Sequence, residues 1–210
     1  MVKNVIKTIV FDLGGVYFTK GSYLAIEKIA NLYNIKSIAK VREILEDRPG
    51  TEAYLLRLGL ITMDEFEEIV IKKFKIKEQD KFHIRNIWFS SYIPNYKMED
   101  VVKQLKKRYR LVIFSGNVRE RVEYLDKRYH FLQYFDDTVF SFECQKDKND
   151  IDFYEELINH INCEPSQAIL IDDEMKNIIR AKTIGLNGIL YYYTEHFVEE
   201  LKKFGIELDI

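Results

Sequence analysis

Five short apolar runs stand out along the chain, at Val5–Phe11, Leu111–Phe114, Thr138–Phe142, Ala168–Ile171 and Gly188–Tyr193. Each is rich in β-branched or aromatic residues, and stretches with helical spacing separate the later four. Alternation of this kind predicts an α/β fold, a Rossmann-like parallel five-stranded sheet with right-handed helical crossovers. The interval between the first and second runs is far longer than one crossover helix requires. Residues 20–95 are therefore expected to form a small α-helical cap inserted after strand 1, with 1–19 and 96–210 as the core domain. Inside the insertion, Tyr23–Tyr33 and Val41–Leu45 have helical spacing, and Gly59 is placed to end a helix as a left-handed C-terminal cap. Thr62-Met63-Asp64-Glu65 is a capping box for a helix running through Lys73. Pro94 marks the return to the core, and further helices are predicted over Met98–Lys107 and Val118–Tyr129.

Composition narrows the classes of function. The chain has 210 residues, 47% hydrophobic and 31% charged, which suits a folded globular protein rather than a disordered one. With 32 Lys plus Arg against 34 Asp plus Glu, the formal charge is −2, so no strong field directs it to nucleic acid or to a membrane surface. The apolar N-terminal run is interrupted by Lys7 and Asp12 and is followed by no small-residue cleavage site, so neither a signal peptide nor a spanning helix is predicted. Cys144 and Cys163 lack the spacing of a metal knuckle; two buried thiols and a reducing cytoplasmic setting are expected. The four histidines are scattered and show no ligand spacing.

Candidate chemistry lies at the ends of the predicted strands. Ile9-Val10-Phe11 runs into Asp12-Leu13-Gly14-Gly15, which presents a carboxylate on a tight turn at the carboxyl edge of the sheet, where open α/β folds bind ligands. A second strand of the same kind ends in Asp172-Asp173. Three carboxylates at two strand ends suit a divalent cation with oxygen ligands. Ser115-Gly116-Asn117 stands where a helix begins, and the N–H groups exposed there favour an anion, although Ser115 or Asn117 could simply cap that helix.

The order and spacing of these segments resemble the four motifs of the haloacid dehalogenase-like hydrolase superfamily, most of whose members are phosphatases. Phe11-Asp12-Leu13-Gly14-Gly15-Val16 is similar to motif I, Leu111-Val112-Ile113-Phe114-Ser115 to motif II, and Ile169-Leu170-Ile171-Asp172-Asp173 with Asn177 to motif IV. The register of motif III points to Lys148, with Lys146 as the alternative; Gln145 stands where that motif usually has glycine. The resemblance is to the sugar-phosphatase and epoxide-hydrolase N-terminal branches, which carry a helical type 1 cap. It implies a magnesium-dependent phosphatase acting on a small phosphorylated metabolite. Asp12 would be the nucleophile that forms an aspartyl-phosphate, and Lys148 the neutralising cation. Asp12, the Gly14 carbonyl and Asp173 would hold Mg²⁺. Leu13, Gly14, Ser115, Gly116 and Asn117 would line the phosphoryl group, with Asp172 and Asn177 behind the metal-bound water or Lys148.

One departure matters chemically. Most phosphatases of the superfamily carry an aspartate where Gly14 stands, as acid and base for the leaving group and for water. Glycine keeps the carbonyl but moves no proton, a loss of about 10²–10⁴-fold unless a good leaving group, a water or a cap residue compensates. Tyr17, Lys20, Arg48, Tyr54 and Arg57 are the residues a cap might present. Trp88, Phe89 and Tyr92 are expected in the core, and Tyr191-Tyr192-Tyr193 either against the sheet or in a contact with another subunit. Two other readings compete: a non-catalytic binding protein on the same fold, and halide displacement from a 2-haloacid, which uses no metal and is disfavoured by Asp172-Asp173.

Overall fold

The computed structural model describes residues 5–46, 48–77 and 80–209. Five parallel strands form one sheet in the order β3-β2-β1-β4-β5: β1 (Thr8–Phe11), β2 (Arg110–Ser115), β3 (Asp137–Phe140), β4 (Ala168–Asp172) and β5 (Asn187–Leu190). The three central strands are buried on both faces, which explains why they read as unbroken apolar runs rather than as alternating ones. Side chains alternate between two cores. Ile9, Phe11, Leu111, Ile113, Ile169 and Ile171 face one layer, and Val10, Val112, Phe114 and Leu170 face the other.

The first layer is closed by α6 (Tyr96–Leu105), α7 (Arg119–Tyr129) and α11 (Thr194–Lys202), which contribute Val101, Val122 and Phe197 among others. The second is closed by α9 (Ile151–Ile161) and α10 (Met175–Thr183) through Phe153, Leu157 and Ile178. Strand β1 lies between β2 and β4, so the crossovers leave it in opposite directions. Ligands in such sheets bind in the crevice beyond that switch point.

Among the described residues, five α-helices lie between β1 and α6: α1 (Gly21–Leu32), α2 (Ile38–Leu45), α3 (Glu52–Arg57), α4 (Met63–Phe74) and α5 (Lys81–Ser90). The predicted capping box opens α4. Thr62 N–H donates to Glu65 Oε2 at 2.7 Å, and Glu65 N–H to Thr62 Oγ1 at 3.2 Å. Gly59 follows α3 with a φ of +68°, the left-handed conformation expected of it. Among the described residues, no helix is long and apolar enough to cross a membrane.

Several boundaries differ from the sequence reading. Ser141 and Phe142 do not extend β3 but open a short helix, α8 (Ser141–Cys144), because the Glu143 carboxylate accepts the Phe140 N–H at 3.3 Å and starts a turn. Strand β1 begins at Thr8 rather than Val5, which is 72% exposed and has no sheet neighbour to pack on. Strand β5 stops at Leu190. Of the three tyrosines that follow, Tyr191 is buried while Tyr192 and Tyr193 are exposed beside His196. Cys144 and Cys163 are free thiols and only half-buried, not enclosed as expected.

Candidate active site

The strand register assembles the acidic cluster. Phe11 pairs with Ile171 and with Ile113, so the residues that follow, Asp12, Asp172 and the end of β2, emerge side by side at the carboxyl edge. Carboxylate oxygens of Asp12, Asp172 and Asp173 lie within 4.8 Å of one another. Gly15 is the residue that permits this approach: its φ is +90°, and a Cβ there would stand 2.4 Å from Asp173 Oδ2.

Each carboxylate has a different environment. Ser115 Oγ donates to Asp12 Oδ1 at 3.0 Å, and Lys148 Nζ lies 2.9 Å from the same oxygen. Asp172, fully buried, is saturated: Oδ2 accepts Lys148 Nζ at 2.7 Å, and Oδ1 accepts Asn177 Nδ2 at 2.9 Å and the Glu174 N–H at 2.8 Å. Asp173 pairs with Lys20, Nζ to Oδ2 at 2.5 Å.

Burial pushes the Asp12 carboxyl up to about 6; Lys148 opposes the shift, and the Asp172 and Asp173 charges add to it. Burial alone would lower Lys148, but the fields of Asp12 and Asp172 outweigh it and hold its ammonium above the ordinary range. Asp173 is also raised, chiefly by burial, against the pull of Lys20.

Lys148, not Lys146, reaches the carboxylates; Lys146 Nζ points outward to the Asp152 carbonyl. The loop that carries it keeps the backbone a glycine would favour, with Gln145 at φ +57°. Lys148 also sits 5.2 Å over the Phe114 ring, which rests on Phe153 and Tyr154.

These groups open into a cavity of about 230 Å³ lined by Asp12, Gly14, Ser115, Gly116, Asn117 and Lys148 on the core side, with Asp173 and Asn177 at one flank. Leu13 is buried against the core, so only its backbone is available to a ligand. Among the described residues, the N–H groups of Leu13, Gly14 and Gly116 enter no turn or loop backbone hydrogen bond. Asn177 Oδ1 is buried without a hydrogen-bond partner.

The helical segment supplies the opposite wall. Of the five residues considered for it, Lys20 and Arg57 line the cavity; Tyr17, Arg48 and Tyr54 do not. Tyr17 is enclosed among Phe18, Phe131 and Phe135, Arg48 is on the surface, and Tyr54 hydrogen-bonds to Asp147. Trp88 and Tyr92 are buried as expected, yet each also forms part of the cavity wall.

Arg121 was missed. It reads as part of the charged surface of α7 in Arg119-Glu120-Arg121, but it is only 5% exposed and lines the cavity. Its position three residues after Val118 and four before Leu125, both buried, is the signal that places it on the inward stripe. Ser141 has no role legible in the sequence, yet its hydroxyl accepts the Asn117 N–H at 3.1 Å and donates to the Arg57 carbonyl at 2.7 Å, joining the helix-start loop to α3.

Known proteins share this architecture. A crystal structure of a HAD family enzyme from Bacteroides thetaiotaomicron, in complex with magnesium and inorganic phosphate, superposes with a TM-score of 0.74 at 22% identity, over 91% of this chain and 99% of that one. An uncharacterised protein of Dictyostelium discoideum is 28% identical over 218 residues, covering 90% of this chain and 92% of its own length. Flavin mononucleotide hydrolase 1 of Arabidopsis thaliana chloroplasts is 32% identical over 65 residues, which are 31% of this chain and 26% of that protein. With the haloacid dehalogenase-like hydrolase model matching residues 6–185, on a parallel sheet whose strand ends converge in this way, the chain belongs to that family.

Proposed function

We propose that the protein is a magnesium-dependent phosphatase of small phosphorylated metabolites, working through an aspartyl-phosphate on Asp12. The observation that carries this reading is the Asp12–Lys148–Asp172 arrangement beside Asp173 at one end of a walled cavity. A phosphate dianion repels a carboxylate nucleophile, so the site must bring compensating positive charge and oriented donors to the phosphoryl oxygens.

The donor set fits Mg²⁺. Asp12, Asp173 and the Gly14 carbonyl are hard oxygen ligands, and the orphaned Asn177 Oδ1 is an acceptor suited to a hydrogen of a coordinated water. The ion would supply charge neutralisation at the phosphoryl oxygens. Both oxygens of Asp172 accept hydrogen bonds, which supports a role in fixing Lys148 and Asn177.

The protein's own groups then act as follows. Lys148 and the Ser115 hydroxyl turn toward the phosphoryl oxygens, joined by the N–H groups of Leu13, Gly14 and Gly116, with Asn117 holding the loop. An Asp12 oxygen attacks phosphorus as the bond to the leaving oxygen breaks, and that oxygen takes a proton from solvent because Gly14 offers none. Water then cleaves the acyl phosphate, regenerating Asp12 and releasing inorganic phosphate. Residues 20–95 act as the cap, closing the cavity and excluding bulk water. Flavin mononucleotide hydrolysis by the Arabidopsis relative, and the magnesium and phosphate of the Bacteroides structure, are consistent with this chemistry.

The test is phosphate release from p-nitrophenyl phosphate with magnesium, run beside Asp12→Asn. Release by the wild type that is lost in the variant and on chelation supports the assignment. No release by the wild type under any of these conditions overturns it in favour of a binding protein.

A further inference from the structure

Away from the three aspartates the cavity is lined by Arg57, Arg121, Trp88, Tyr92 and Ser22, and Glu46 also lines it. Arg121 is 5% exposed, and among the described residues no carboxylate forms an ion pair with it. Two of its donors are fixed: Nε to Asn117 Oδ1 at 2.7 Å and one terminal nitrogen to Tyr92 Oη at 2.8 Å. A guanidinium has five N–H groups, so the remainder of the fork is available on the cavity side.

Tyr92 Oη, having accepted from Arg121, can donate to Ser22 Oγ at 2.7 Å; Ser22 Oγ also accepts Trp88 Nε1 at 3.0 Å. Ser22, which lines the cavity, ties Trp88 and Tyr92 together through this one hydroxyl. Arg57 closes the arc. Its guanidinium carbon would lie 2.9 Å from a Cβ at Gly116, so it rests on the loop that starts α7. Burial and the neighbouring Arg121 charge together push it down to about 10.

One buried and one half-buried guanidinium on the same cavity wall, Arg121 and Arg57, favour an oxyanion over a donor-rich group. The phosphoryl group itself is already met by Lys148 and Ser115 at the opposite end. We infer that Arg57 and Arg121 form a second anion subsite, so that the substrate is a phosphate monoester bearing a further carboxylate or phosphate on its leaving group. This inference rests on the phosphatase reading. The aromatic faces of Trp88 and Tyr92, 5.3 and 4.4 Å from the Arg121 guanidinium, hold that side chain in place while the ligand exchanges.

Matched pairs of substrates test it in the full chain with magnesium. Phosphoglycolate against ethyl phosphate differs by the carboxylate alone; glucose 1,6-bisphosphate against glucose 1-phosphate differs by the second phosphate. For at least one pair the doubly anionic member should show kcat/KM about 10- to 100-fold higher, and the pair that shows it identifies the anion. In Arg121→Gln that ratio should collapse. A wild-type ratio near one for both pairs, or a variant that lowers both members of a pair equally, overturns the subsite and leaves the phosphatase assignment standing.

Absence of turnover on every substrate, p-nitrophenyl phosphate included, overturns the assignment instead. The subsite is then read through Trp88, the sole tryptophan of the chain. Its fluorescence in Asp12→Asn should saturate with phosphoglycolate at lower concentration than with ethyl phosphate, and equal affinity refutes the inference. The wild-type comparisons need no variant, so misfolding of Arg121→Gln cannot mask the outcome.

Discussion

Lys148 Nζ lies 2.9 Å from Oδ1 of Asp12, with both side chains largely withdrawn from solvent. Because the same ammonium also meets Asp172 Oδ2, it is the cation that allows two carboxylates to share one corner of the sheet. Lys148→Gln leaves those charges facing each other, and removing one partner of a buried pair costs about 3–5 kcal/mol. Thermal denaturation of the metal-free protein should register that loss, and phosphate release should fall by about 10²–10³-fold. Lys148→Arg keeps the charge but not the compact point geometry, so it should recover stability better than activity. A glutamine variant as stable as the wild type would show that the contact is incidental.

Gly14 faces the cavity, and a Cβ built on it meets nothing within 4 Å. A side chain can therefore begin there without a clash at its Cβ. Gly14→Asp should raise kcat on alkyl phosphates by up to about 10²-fold and have less effect on p-nitrophenyl phosphate, whose leaving group needs no acid. Gly15→Ala is the contrasting case. Its left-handed backbone and the 2.4 Å approach to Asp173 predict a loss of about 1–3 kcal/mol and a weakened response to magnesium. Steady-state rates on the two substrate types, with melting curves, decide both.

The sheet was legible because its strands are short, apolar and stopped by polar residues: Asp12, Ser115 and Asp172 each end a run whose every other position is buried. Lys148 was legible only through its distance from neighbouring motifs, since nothing in Lys146-Asp147-Lys148 tells which ammonium turns inward; the contacts of Lys148 with Asp12 and Asp172 do. Arg57 was among the cap residues the sequence offered, but its meeting with Tyr92 and Arg121 in one cavity wall was not legible. Arg57, Tyr92 and Arg121 come from three separate elements, and their convergence depends on how α3, α5 and α7 pack, which local pattern does not encode. Arg121 shows the general reason. A charged residue on a buried stripe looks like noise in an amphipathic pattern until the partner that satisfies it, here Asn117, is placed beside it.

Ser141 links two parts of the site through one hydroxyl. It accepts from the Asn117 N–H and donates to the Arg57 carbonyl. Replacing it with alanine strands a buried N–H and a carbonyl, which costs about 1–3 kcal/mol. Because α3 is held to the core partly through this bond, Ser141→Ala should raise KM more than it lowers kcat. A drop in kcat alone at unchanged KM would place Ser141 outside cap positioning.

Lys20 Nζ pairs with Asp173 Oδ2 at 2.5 Å, within the carboxylate cluster that includes Asp12. A divalent ion bound through Asp173 therefore meets this ammonium as a competing cation. Lys20 is 45% exposed at its side chain, which makes its own contribution to stability small. Lys20→Gln removes the competitor and a nearby positive charge together. Magnesium should then raise the melting temperature at lower concentration than in the wild type, since stabilisation follows RT ln(1 + [L]/Kd). Asp173→Asn should abolish the rise in either background. If Lys20→Gln instead demands more magnesium for the same shift, Lys20 is holding Asp173 in its binding posture rather than blocking it, and the competition argument fails.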